Sequence, residues 1–503
     1  MATPTPDLIR FTPKERRTPL SLDQLDTLRQ ATLEILANVG VVFPSETALD
    51  IFSDCGASID RDSRRVRIPA DLVARALSTA PHSFVLAGRE ERFDLYLDGT
   101  STHICTEGVG TRVVDIHTGQ VRSSRKDDVA MMARVVDALP LIGFFWPPVS
   151  AQDFPSTAPL HECHAGLTNT LKHVRGATTM HPVLARAAVE MATVLAGSAE
   201  ARRRRPPICA NICTVSPLAQ DPVGIEAALI YAEAGIPVSF MAMPTAGSTA
   251  PASSLGALVQ GEAEVVGALV LLQLAYPGCA VMHSNLVSIM DPRTGGYISE
   301  VPFHFEPIVS QLAHVAWGVP DLGGAALSSD SSGIDWVSGL RAGMGAALLS
   351  SDAADICGYV GGLTAGATVL CPEFIILQHE ALMRAHAWFA DLHFDRADLA
   401  LDVIADVGPG GHFLAHRHTR KHLRDSRLWL WQSTVRSESV ARPEGVSADR
   451  PVDSAPSAAQ TAAKAEFLRL TLEHAPEPLP DDLLAELDAI LASTDRQVRD
   501  LAV

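Results

Sequence analysis

Six short apolar runs between residues 137 and 362 each end in small or polar residues, and each precedes a stretch with helical spacing. They are IGFFWPPV, PICANICTVSP, PVSFMAMPTAG, CAVMHSNLVSIMD, LGGAALSSD and ADICGYVGG. None shows the strict alternation of a half-exposed strand, so each predicts a strand buried on both faces, as in a parallel sheet. Between them, segments such as Ile225–Glu233 and Leu255–Leu274 carry apolar residues at helical spacing. Strand–helix alternation on this scale predicts an α/β fold, either a (β/α)8 TIM barrel or an open doubly wound sheet. The barrel is favoured because no Gly-x-Gly-x-x-Gly turn opens any unit. In a barrel the chemistry sits at the C-terminal ends of the strands, which directs attention to the polar residues closing each run.

A chain of 503 residues, 47% of them hydrophobic, has room for a barrel of about 250 residues plus substantial additions. The formal net charge of −18 argues against nucleic acid or an anionic membrane as partner. The basic run Arg202–Arg205 precedes two prolines and a predicted strand, which fits a solvated loop or subunit contact better than a phosphate site. The eight cysteines form no CxxC pair, and several lie inside apolar runs, as expected in a reducing compartment. The N-terminal MATPTPDLIRFTPKERR has no signal-peptide core, and no uninterrupted apolar stretch reaches transmembrane length. A cytoplasmic homo-oligomer is expected.

Three regions are expected: an N-terminal helical and β-hairpin extension over 1–136, the barrel over 137–390, and a C-terminal extension over 391–503. In the first, Ser21 and Gln24 have capping-box spacing, and Leu25, Leu28, Thr32, Ile35, Leu36 and Val39 follow one helical face until Gly40. A second helix from about Ser45, a strand near Arg65–Ile68 and a third helix from Ala70 follow, and His117-Thr118-Gly119 has the composition of a hairpin turn. In the last region, residues 434–460 predict an exposed linker and Pro480–Ala492 an amphipathic helix.

Several stretches resemble the trimethylamine methyltransferase family, the substrate-specific component of corrinoid-dependent methyl transfer. They include LDTLRQATLEILANVGVVFPSETAL, RVRIPADLVARAL, DIHTGQVRSSRKDDV, GIPVSFMAMPTAGSTAP and QGEAEVVGALVLLQLAYPG. The resemblance is strongest in SIMDPRTGG, the following Glu300, and GPGGHFLAHRHTRKHLR, and it spans residues 18–492. It implies a TIM barrel with extra terminal pieces. It also implies a methyltransferase of EC class 2.1.1 that passes a methyl group from a small methylated amine to the Co(I) corrinoid (cobalamin) of a partner protein. Founding members demethylate trimethylamine and carry pyrrolysine as the catalytic residue; in LSSDSSGIDWVSGLRAG that position falls at Ser331 or Ser332. The electrophile that forms an adduct with a tertiary amine is therefore missing, and trimethylamine is not the expected substrate. Members without pyrrolysine include enzymes for quaternary amines such as glycine betaine, proline betaine and carnitine. Trp336, Val337, Leu340 and Arg341 depart from the more polar pattern of many relatives, so the amine stays open within that group. Two alternatives stand beside this expectation: a corrinoid-independent enzyme using a tetrahydrofolate carrier, and a barrel that binds a small molecule without turning it over.

A quaternary ammonium methyl is already activated, because its leaving group is a neutral tertiary amine. The resemblance then asks of the pocket only that it hold the N–CH3 bond in line with the acceptor and exclude water. Asp330, with Ser331 and Ser332, is the expected catalytic position; the structural alternative for Asp330 is a helix N-cap. Phe144, Phe145 and Trp146 at one strand end and Tyr359 at another are aromatic candidates for the cation, although three successive residues cannot all face one pocket. His283 and Asn285 alternate along one strand and are expected to face the mouth together. Met243, with Met241, is expected to line the pocket. Asp291, Arg293 and Glu300 match the family pattern: Glu300 is expected at the substrate, and Asp291 and Arg293 at the corrinoid or as a loop clamp. His416 and His418 are further candidates for corrinoid contact. His418 and His422 have the spacing of a zinc pair, but Arg417, Arg420, Lys421 and Arg424 crowd them with positive charge, so no metal is expected. Glu264 is expected to support the barrel, and His161-Glu162-Cys163-His164 to splay around a helix without converging.

Overall fold

The apolar runs become strands that pair in one direction, and successive residues on each strand feed two different cores. The structure is a computed structural model that describes residues 3–12, 17–178, 181–298, 305–349, 354–389, 394–422 and 457–501. Among these residues eight strands run parallel: β1 (His103–Cys105), β2 (Ile142–Phe145), β3 (His173–Thr178), β4 (Ile208–Val215), β5 (Val238–Ala242), β6 (Val281–Asn285), β7 (Leu322–Ala326) and β8 (Ile356–Gly358). Each of β1 to β5 pairs with the next in chain order. β7 pairs with β8, and β8 returns to β1. Between β6 and β7 a parallel bridge joins His283 to Asp321, and the His283 N–H donates to the Pro320 carbonyl at 2.9 Å.

A helix follows each strand. After α1 (Leu22–Glu34) these are α2 (Lys126–Ala138), α3 (Ala158–Asn169), α4 (Pro182–Ala196), α5 (Pro222–Ala234), α6 (Ser254–Ala275), α7 (Glu306–Gln311), α8 (Trp336–Leu349) and α9 (Phe374–Phe389). The architecture is mixed α/β, as expected. The parallel sheet begins before residue 137, however, because β1 lies inside the segment expected to be an extension. Its three residues, His-Ile-Cys, are too few to carry a periodic signal. The strand-and-helix unit of the expected barrel region that escaped notice is β3, where His173 and Arg175, with Lys172 just before them, interrupt any apolar run.

Because side chains alternate across a strand, Ile208, Ala210 and Ile212 of β4 pack outward against helices while Cys209 points into the inner core. The inner core also holds Cys105, Phe144, Met241, Met282 and Ile356, one strand after another. Helix α3 approaches β2 and β3 closely at Gly166, where an added Cβ would stand 2.8 Å from Val174 and 3.2 Å from the Phe145 ring. Helix α6 is long and apolar enough to cross a membrane, although Gln260, Glu262 and Glu264 interrupt its apolar run. It is nevertheless buried over 83% of its apolar window, and it carries Glu262 and Glu264 hydrogen-bonded inside the protein. It is apolar all round because protein surrounds it.

The flanking pieces follow local signals. The Ser21–Gln24 capping box starts α1, Ser45 caps the helix Glu46–Asp54, and the strands Arg112–Val114 and Val121–Ser123 form the hairpin around His117-Thr118-Gly119. Most of the expected linker 434–460 falls outside the described residues. Its last residues instead open α10 (Ala458–Glu473), where Ser457 and Gln460 form a second capping box. The terminal helix α11 (Asp481–Leu501) begins at the expected place and runs further. His474 donates to Asp137 at 2.8 Å, tying the end of α10 to α2. His161 and His164 share one face of α3 and pair with Asp495 and Asp488 of α11 at 3.1 and 3.0 Å. They serve as a helix clamp. No disulfide links the eight cysteines.

At the N-terminal ends of β7 and β8, His314 lies 3.2 Å from Asp321 and 3.1 Å from Asp355. The trio has the spacing of a metal site, yet its oxygens are already occupied. Asp321 accepts from the Ser310 hydroxyl and the Asp355 N–H, and Asp355 accepts from the Asp321 and Gly99 N–H groups. Burial works against the imidazolium, but the two carboxylates outweigh it and raise the His314 pKa from 6.5 to about 10. Its stabilising contribution is therefore complete below pH 6.5 and fades as pH rises toward about 10. Thermal midpoints measured over that interval are expected to fall more steeply for the native protein than for His314→Gln. Parallel curves would contradict this assignment.

Candidate active site

A cavity of about 90 Å³ opens among the C-terminal ends of the strands. Glu107 enters from beyond β1, Asn285 to Val287 from the end of β6, Ala326 and Ser328 from β7, and Tyr359 from beyond β8. Arg341 reaches in from α8, and Tyr297 and Phe305 from the connection between β6 and α7.

Glu107 is half-buried, and one of its oxygens accepts from the Ser328 hydroxyl at 3.0 Å. Its other oxygen is buried without a hydrogen-bond partner among the described residues. Burial pushes the carboxyl up to about 8, against the opposing pull of Ser328 and Arg341 and with a further push from Asp330. Tyr359 is held at φ 43°, a conformation that disfavours a bulky side chain and that persists only where the surroundings impose it. Its ring meets Trp146 edge-on at 6.3 Å, and the Arg175 guanidinium lies over the Trp146 ring at 3.5 Å. Tyr359 lines the cavity, and Trp146 and Arg175 lie behind it in the protein interior.

The expected site residues divide sharply. Trp146 and Tyr359 belong to the inner core beside the cavity, whereas Phe145 faces outward against α3 and is the core member of its trio. Asp330 acts electrostatically on Glu107 and Tyr297, at the edge of the cavity. It does not cap α8. That task falls to Asp335, which accepts from the Ser338 N–H at 2.9 Å. The Ser331 hydroxyl is bound to Asp335, Ser332 is exposed, and neither lines the cavity. Met241 lies in the inner core, but Met243 is 43% exposed on the loop beyond β5.

The His283 and Asn285 side chains both reach α6, where Glu262 accepts from Asn285 at 2.9 Å and pairs with His283 at 3.0 Å. His283 does not line the cavity, whereas Asn285, at the end of β6, still borders it; Met282 lies in the inner core. Polar character misled here, since a buried carboxylate on a helix binds both side chains. Asp291 and Arg293 form a 3.2 Å pair within a turn, with Arg293 exposed, which is the loop clamp. His416 pairs with Asp406 at 3.1 Å, and His416, His418 and His422 line a surface cleft with Asp402 and Asp406, separate from the cavity. Glu300 lies outside the described residues. Glu264 accepts from Thr214, Ser216 and the Leu218 N–H, bracing the turn after β4 as expected.

The sequence reading assigned no site role to Glu107 or Arg175, and noted Arg341 only as a departure from the pattern of many relatives. Arg175 carried a usable signal, a charged residue inside a strand of a parallel sheet, where every position is buried. Glu107 stands among glycines after a strand too short to recognise.

The order of these elements along the chain is shared with known proteins. The family profile described as trimethylamine methyltransferase (MTTB) matches residues 5–443. The chain belongs to the trimethylamine methyltransferase family. Among family relatives, trimethylamine methyltransferase MttB of Desulfitobacterium hafniense is 29% identical over 492 residues, covering 94% of this chain and 93% of its own. A glycine betaine methyltransferase from another strain of the same species is 26% identical over 486 residues, covering 95% of this chain and 97% of its own. The monomethylamine methyltransferase (MtmB) of Methanosarcina barkeri superposes with a TM-score of 0.44 at 11% identity, covering 96% of this chain and 88% of its own. Relatives named for trimethylamine and for glycine betaine both align over more than nine-tenths of this chain, so family membership by itself selects neither amine.

Proposed function

We propose that this member of the trimethylamine methyltransferase family moves a methyl group from a quaternary, betaine-type amine to the Co(I) corrinoid of a partner protein, and that its ring of strand pairings is a closed (β/α)8 barrel. The observation that carries the choice of amine is the fate of the position where founding members hold pyrrolysine. Ser331 is engaged with Asp335 and Ser332 is exposed, so neither offers an electrophile to a tertiary amine. A quaternary nitrogen needs none. The C–N electron pair stays on the departing tertiary amine, and the acceptor supplies the pair for the new bond to carbon.

The residues present fit this division of labour. A cavity of about 90 Å³ admits a small amine and is far too small for a corrinoid ring, so the acceptor must meet the methyl group from outside. Trp146 and Tyr359 supply aromatic surface for the cation, Glu107 supplies charge, and enclosure keeps water from the reacting carbon. Near the mouth, α8 exposes Trp336 (80%), Val337 (48%) and Leu340 (46%), an apolar surface on which a corrinoid protein could seat. Tetrahydrofolate is the alternative acceptor. Incubation with methyl-labelled glycine betaine, supplied with Co(I) cobalamin or with tetrahydrofolate in parallel, separates the two. Label is expected on cobalamin, with dimethylglycine as the second product; label on folate alone would overturn the proposal.

A further inference from the structure

We infer that Arg175 anchors a carboxylate of the substrate, so that the barrel selects a zwitterion, carboxylate end innermost and ammonium end toward Glu107. This rests on the methyl-transfer function proposed above. Arg175 sits at the centre of β3 with no exposed surface, and none of its three guanidinium nitrogens has a hydrogen-bond partner among the described residues. Nor does a described carboxylate pair with it. A guanidinium keeps its charge at any working pH, so sealing it from water without an anion is among the costliest arrangements in a protein interior.

A neighbour has the same need. The Trp146 indole N–H, a donor like the guanidinium, is also buried without a partner among the described residues, although buried polar groups in folded proteins are nearly always satisfied. The planar guanidinium fork matches a carboxylate with two parallel hydrogen bonds, and with Trp146 beneath it the group is held flat. The second arginine of the site differs. Arg341 lines the cavity beside Glu107, and only its Nε is buried without a partner among the described residues. Tyr359 connects the two ends, since it lines the cavity with Glu107 and packs against the ring that carries Arg175. A zwitterion lying along Tyr359 places its carboxylate at Arg175 and presents its N-methyl groups at the mouth, where an external acceptor can reach them.

The test is calorimetric and needs no methyl acceptor. Glycine betaine and choline carry the same trimethylammonium group and differ in whether a carboxylate is present. Native protein is expected to bind betaine roughly 100-fold or more tightly than choline, and Arg175→Met to lose that preference while binding choline as before. Unliganded Arg175→Met is also expected to melt higher, because an unpaired buried charge has gone. Equal affinities for betaine and choline in the native protein, failure of betaine to bind, or unchanged betaine affinity in Arg175→Met would each overturn the inference. The native comparison decides even if the variant does not fold. The two proposals fail separately. Betaine held through Arg175 without methyl transfer leaves the anchor standing and removes the function; equal transfer from betaine and choline does the reverse.

Discussion

Glu262→Ala is expected to lower the unfolding free energy by about 3–5 kcal/mol, the cost of breaking a buried charged network by removing one partner. Glu262 has no exposed surface, and its two oxygens serve three groups: Asn285 at 2.9 Å, His283 at 3.0 Å and the Trp317 indole N–H at 2.8 Å. These groups come from β6 and from the end of the helical segment that leads to β7, where among the described residues the two strands share a single bridge. Removing the carboxylate strands three buried partners at the weakest seam of the sheet. Burial alone would raise the Glu262 pKa, but His283, Asn285 and Trp317 together hold it below 4.5. The sign follows: the stabilisation is present above pH 4.5 and disappears as acid protonates the folded carboxyl. Urea unfolding at neutral pH measures the loss, and a midpoint unchanged from the native protein would show that the network contributes little.

Glu107→Gln is expected to weaken binding of a quaternary amine by roughly tenfold to a hundredfold and to remove its pH dependence. In the free protein the Glu107 carboxyl sits at about 8, so at neutral pH it is mostly protonated and neutral. A cation beside it favours the charged form, so binding releases a proton and affinity climbs as pH rises, levelling above about 8. Glutamine keeps the shape and the hydrogen bond from Ser328 but cannot ionise. Calorimetric titrations of betaine across this interval should give a rising curve for the native protein and a flat, lower one for the variant. Coincident curves would remove Glu107 from the binding site.

Long-range order was legible where residues carry period, and local chemistry where they carry geometry. Apolar runs on both-face-buried strands exposed most of the parallel sheet, and Ser21–Gln24 fixed the start of α1 to the residue. β1 and β3 were missed for opposite reasons, one too short and one too polar. His173 and Arg175 alternate on one side of β3, and the full burial of Arg175 there is what makes it of interest. His283 and Asn285 show the converse difficulty. A strand buried on both faces has no solvent side, so polarity cannot tell inward from outward, and only the partner Glu262 on α6 decides. Ser331 and Ser332 were informative through what family members carry there, while their side chains bind a helix cap and solvent. The cavity itself depends on Glu107, Ser328, Arg341 and Tyr359, which come from separate parts of the chain and share no motif.

The most direct measurement is the absorbance of Co(I) cobalamin, under anaerobic reducing conditions, with the purified protein and glycine betaine. Loss of the Co(I) band with matching growth of methyl-Co(III), dependent on both protein and betaine, is the expected result. A Co(I) spectrum that stays unchanged with betaine, proline betaine, carnitine and choline in turn would contradict corrinoid-linked demethylation of a quaternary amine.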